Sequence, residues 1–175
     1  MKNRSGYTIV EVSITLATLL IMMTFSISLA LRTPQTILMD GLQSLQTEFI
    51  CLQQQALSCG LQCRINFSSG TNAYQIIQGE TQHTHHLPKN IIFDFKPGVK
   101  GSPGKPNTLI TQAIKFENPH PLAAIIQPHG RISSGTVYLM HTNGSAMGAL
   151  TVTPHQIAHV RLYLLEHGTW KLLAT

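Results

Sequence analysis

One stretch limits what this chain can become: GYTIVEVSITLATLLIMMTFSISLALR, Gly6 to Arg32. From Tyr7 to Leu31 every residue is apolar or small and polar, except Glu11. As a helix, a run of this length reaches roughly 37 Å, more than the ~30 Å hydrocarbon core of a bilayer. It is too long for the apolar region of a secretory signal peptide, and no small-x-small cleavage site closes it. Lys2 and Arg4 precede it, so the positive-inside rule keeps the N-terminus cytoplasmic and exports the remainder. Arg32 weakens that asymmetry without reversing it. The expectation is a single-pass helix in the inner (cytoplasmic) membrane, with the rest of the chain periplasmic or extracellular. A carboxylate inside such a run costs at least ~2.5 kcal/mol by insertion scales, so Glu11 calls for a partner.

Charge and cysteines narrow the classes. The net charge is +5, from 12 basic and 7 acidic residues. Without Lys2 and Arg4 the balance is 10 against 7, or +3, a mild excess with no dense basic run. Cys51, Cys59 and Cys63 are odd in number and do not form a disulfide framework. One Cys59–Cys63 bridge with a free thiol, and three reduced thiols, both stay open. Neither a metal nor a cofactor is expected, because no zinc-ligand spacing occurs.

Beyond Pro34, which should kink the chain, apolar residues recur at Leu38, Leu42, Leu45, Phe49, Leu52 and Ala56. That is a helical stripe, with Gln43, Gln46, Gln53 and Gln54 mostly on its wetter side and Gly60 as C-cap. The expectation is one kinked helix of roughly 50 residues from Thr8 to Cys59. After Gly60 the period changes to that of short strands: 63–67, 74–78, 90–95, 108–116, 123–127, 136–140, 149–153, 160–165 and 170–173. Turn-rich segments bound them, and PGVKGSPGKPN (97–107) reads as one exposed loop carrying Lys96, Lys100 and Lys105. The predicted fold class is therefore α+β: a long N-terminal transmembrane or filament helix followed by an antiparallel β-sandwich-like head. The divisions are 1–6, 7–31, 32–60 and a head at 61–175.

The order of residues around the charge is specific. A short basic leader ends in Gly6, and Tyr7, Thr8, Ile9, Val10 and Glu11 come next. This resembles the type IV prepilin leader. The resemblance implies cleavage by prepilin peptidase between Gly6 and Tyr7, N-methylation of Tyr7, and pairing of Glu11 with a neighbouring subunit's N-terminal amine on assembly. Residues 124–164 are similar to the signature of the GspH/FimT family of minor pseudopilins. Pro128, Gly130, Gly135, Thr136, Val137, Leu139, Gly144 and Thr151–Thr153 fit it, whereas the usual basic pair near its end keeps only Arg161. Membership implies a structural subunit of a type II secretion pseudopilus or a type IV pilus tip. Its partners would be other minor and major pseudopilins.

Other chemistries compete with that reading. Nucleic acid is the rival partner: Arg131, Arg161 and Lys171, with the loop lysines, are the residues for a phosphate-binding patch. A plain membrane-anchored binding domain is the third reading. His83 and His85 share one face of any strand through QHTHHL, and Glu80 is the nearest further ligand, which leaves polar surface histidines as the expectation. No G-x-S-x-G and no Walker A spacing is present, so no enzyme is expected.

Overall fold

The computed structural model describes residues 8–30, 33–102, 105–117, 119–153 and 159–174. Contacts divide the chain into two compact units, one ending at Thr33 and the other Pro34–Thr175. The expected 50-residue helix is two helices, α1 (Ile9–Ala30) and α2 (Pro34–Cys59). Proline at the first position of α2 lacks an N–H to donate and disfavours the helical region at Thr33, which lies outside the helix.

The fold class is corrected accordingly. The chain is β-rich, with several antiparallel sheets and, among the described residues, no long N-terminal helix. Among the described residues no helix is long and apolar enough to cross a membrane. Glu11 occupies the first turn of α1, and Ser13, Thr15, Thr18 and Thr24 interrupt its apolar sequence further along. That finding overturns the expected transmembrane helix and the single-pass inner-membrane placement with it.

Among the described residues, twelve strands come after α2: β1 (Cys63–Phe67), β2 (Ala73–Gln78), β3 (Thr81–His86), β4 (Ile91–Ile92), β5 (Lys100–Ser102), β6 (Lys105–Leu109), β7 (Ile114–Phe116), β8 (Ala123–Ile126), β9 (Gly135–His141), β10 (Met147–Thr153), β11 (His159–Glu166) and β12 (Thr169–Ala174). One sheet has the order β3-β2-β1-β8. A second runs β12-β11-β10-β9-β4, with β7 also on β9, and β5 and β6 make a separate hairpin. Three expectations change here. The polar run 81–86 is a strand, since Gly79 and Glu80 turn the chain back and pair Thr81 with Gln78. The 97–107 loop holds most of a hairpin. The run 108–116 is broken between Leu109 and Ile114.

Alternation sorts the residues of the second sheet. Val137, Leu139, Leu150, Val152, Val160, Leu162 and Leu164 point to one side, where they share a core with Leu38, Leu42, Leu45, Phe49, Leu52 and Ala56 of α2. Inner residues of β1 and β2 join the same core. Gln53 departs from its expected wet position. It is buried, and its Nε2 donates to the Gly130 carbonyl at 2.6 Å, tying α2 to the turn after β8. Tyr138, Met147 and Ala149 face the other way and form a small second cluster with Trp170.

Tyr74 gives this core a pH signature. Burial, and then the nearby Glu48 carboxylate, push its phenol up to about 12. Between the ordinary tyrosine value near ~10 and about 12, the unfolded chain releases a proton that the folded chain keeps, so stability falls as pH rises. Denaturant midpoints at pH 9 and 11.5 should therefore separate more for the native chain than for Tyr74→Phe. Equal separations would refute the assignment.

Candidate functional site

Two places carry chemistry beyond core packing: the start of α1 and the outer face of the larger sheet. At the first, Thr8 precedes the helix and Glu11 lies three positions on. The Thr8 backbone N–H and hydroxyl donate to Glu11 Oε2 at 2.9 and 3.0 Å, and the Glu11 N–H donates to Thr8 Oγ1 at 3.3 Å. This is a capping box, which satisfies orphan N–H groups reciprocally at a helix start. The backbone bond from Thr8, and then its hydroxyl, hold the Glu11 carboxyl below its ordinary value. The signal was legible as T-x-x-E ahead of an apolar run, and it supplies a local reason for the lone carboxylate. Gly6 and Tyr7, the expected cleavage and methylation positions, lie outside the described residues, as do Lys2 and Arg4.

Between Ser13 and Thr24, hydroxyls along α1 bond within the helix. Ser13, Thr15, Thr18 and Thr24 each donate a hydroxyl to a carbonyl three or four residues back. Much of the surface between Ile9 and Met23 is exposed hydrocarbon, with Ile9 85% and Met22 69% exposed and Val10, Ile14, Leu16, Leu19 and Leu20 also bare. Its unit buries none of these side chains. Contiguous exposed apolar surface on this scale marks an interaction site.

The three arginine and lysine candidates do not converge. Arg131 is exposed beside the turn after β8. Arg161 is half-buried on the outer face of β11, opposite Thr151 of β10. Lys171 pairs with Leu164, a core-facing residue, so it lies on the α2 side of the sheet, the face opposite to Arg161. There its ammonium binds Glu166, whose other oxygen accepts from Gln35 of α2 at 3.0 Å. The bond from Lys171 is the chief reason that the Glu166 carboxyl sits below its usual value. Lys96 and Lys100 are exposed. His83 and His86 are exposed on β3, while His85 stacks on Tyr74 at 5.6 Å. Among the described residues, no three His, Cys, Asp or Glu side chains gather around a common metal position. All three cysteines are free thiols, with Cys51 and Cys59 exposed and Cys63 buried.

Comparison with protein-family models, with curated proteins and with solved structures found no match to this chain.

Proposed function

We propose that this chain is a non-catalytic assembly subunit of the minor pseudopilin type, incorporated into a pseudopilus or pilus tip through α1. The observation that carries this reading is the exposed apolar surface of α1 between Ile9 and Met23, along which the hydroxyls of Ser13, Thr15, Thr18 and Thr24 are bonded within the helix. Such a helix is completed by other apolar helices, and the α1 segments of fellow subunits supply them. The resemblance of Gly6–Glu11 to a prepilin leader supports the same reading. Both Thr8 bonds use one carboxylate oxygen of Glu11, so the second oxygen is the one that a neighbour's freed amine would meet. The cap holds the carboxylate ionised and in place until assembly.

Intact mass of the chain from cells supplying the leader peptidase should show loss of Met1–Gly6 and gain of one methyl group. A mature chain beginning at Met1 would sink the proposal. Cap and assembly roles separate by substitution. Thr8→Ala removes the cap alone and should reduce co-purification with pilin-like partners modestly, whereas Glu11→Ala should abolish it. Equal losses would reduce Glu11 to a helix cap.

A further inference from the structure

On the outer face of the larger sheet, cross-strand register lines up four polar residues in one row. Lys115 of β7 pairs with Thr136 of β9, Thr136 with Thr151 of β10, and Thr151 with Arg161 of β11. Their neighbours Ile114, Val137, Leu150 and Leu162 all enter the core, so alternation sends the four outward together. At about 4.8 Å per strand, the backbone positions of the two basic residues stand roughly 14 Å apart with two threonines between them. Lys115, Thr136 and Thr151 line a groove of about 790 Å³. That size is within the range of ~300–1,000 Å³ usual for ligand sites.

The row is also incompletely satisfied. Thr151 Oγ1 and Arg161 Nε are shielded from water and have no hydrogen-bond partner among the described residues, and Trp170 Nε1, on the same sheet face, shares that condition. Buried polar atoms in native proteins are nearly always paired, so orphans gathered on one sheet face beside a groove call for an explanation. Arginine and indole N–H groups only donate, and a threonine hydroxyl can donate. The missing groups are therefore acceptors, and the terminal cations favour acceptors that carry negative charge.

The geometry points to a binding site for an extended acidic peptide. Two carboxylates four residues apart in an extended chain span about 13 Å, at ~3.3 Å per residue, and lie on the same side of it. They match Lys115 and Arg161, while the intervening carbonyls meet Thr136 and Thr151. Thr151 turns its hydroxyl toward the peptide as it binds. Glu117 lines the groove with Lys115 and repels any anion near it, so two spaced carboxylates fit better than the continuous run of phosphates of a nucleic-acid strand. This site is independent of the role of α1.

The test uses the full-length chain, with mild detergent covering α1, and a fluorescein-labelled Glu-Ser-Thr-Ser-Glu peptide read by anisotropy. Saturable binding is expected, at least tenfold tighter than for Gln-Ser-Thr-Ser-Gln. Lys115→Gln and Arg161→Gln should each weaken it at least fivefold, and Lys115→Arg should restore most of it. Lys115 is exposed, so its variants keep the test valid should Arg161→Gln unfold the sheet. Equal binding of the two peptides overturns the site, as does no saturation by millimolar peptide or indifference to Lys115→Gln. Tighter binding of a single-stranded oligonucleotide dependent on the same residues would replace the peptide with nucleic acid.

Discussion

Phe67→Ala should lower the thermal midpoint of the Pro34–Thr175 unit by about 10–20 °C, through a loss of about 3–5 kcal/mol. Phe67 ends β1 at the centre of an aromatic group. Its ring stacks on Phe49 of α2 at 6.3 Å and on Phe116 of β7 at 5.8 Å, meets Phe93 edge-on at 5.3 Å, and tilts against Tyr74 at 6.3 Å. These partners come from a helix, both large sheets and the segment after β4. No single neighbour can close the resulting cavity without leaving its own. Aromatic pairs add about 0.5–1.5 kcal/mol each beyond the area they bury, which places this site high in the range. Circular dichroism melts would measure it. A shift of only a degree or two would mean that the rings do not form one packed group.

Gly135→Ala is the second substitution with a large expected effect, about 3 kcal/mol, from overpacking that cannot relax. A Cβ there would meet the Phe116 ring and stand 2.6 Å from the Lys115 carbonyl oxygen. Backbone cannot yield as a side chain can, and the Phe116 ring is held by its stack on Phe67. The strand β7 must separate from β9, and Lys115 moves with it. Amide exchange reports this directly, because the Tyr138 N–H donates to the Ala113 carbonyl at 2.8 Å and should lose its protection. Retained protection in Gly135→Ala would refute the clash. Gly148 offers a control. An added Cβ there meets the end of the Leu42 side chain and stands 3.1 Å from the Tyr163 carbonyl oxygen, a milder backbone contact than the 2.6 Å at Gly135, so Gly148→Ala should cost less.

The strands with alternating apolar residues were legible in the sequence. CRINF is β1 to the residue, and the expected ranges of the last three strands each fall inside observed ones. The stripe through α2 was equally plain, because four- and three-residue steps admit only one burial face. Three features were hidden for physical reasons. The strand β3 is an edge built from Thr, Gln and His, held by backbone pairing to β2, so no apolar rhythm announces it. The β5–β6 hairpin lies within glycine- and proline-rich sequence whose composition reads as loop. The break before Pro34 reads as a kink in sequence, although a proline at the first turn of a new helix is as natural as one inside an old one.

The candidate sites divide along the same line. The capping box is a local pattern of four residues and could have been read directly. The Lys115–Arg161 row depends on the register of four strands contributed from 114 to 166, which single-sequence periodicity does not specify. Arg161 stood out in the sequence as a basic residue, but its face and its neighbours emerge only from pairing.

Because Leu38, Leu42, Leu45 and Phe49 are seated in the core from the first turns of α2 onward, tension arriving at Pro34 enters the interior directly. Pulling there would have to extract those side chains one turn after another, beginning with Leu38. The grip is distributed along the helix rather than concentrated at a flexible joint, and rupture would coincide with unfolding of the whole Pro34–Thr175 unit.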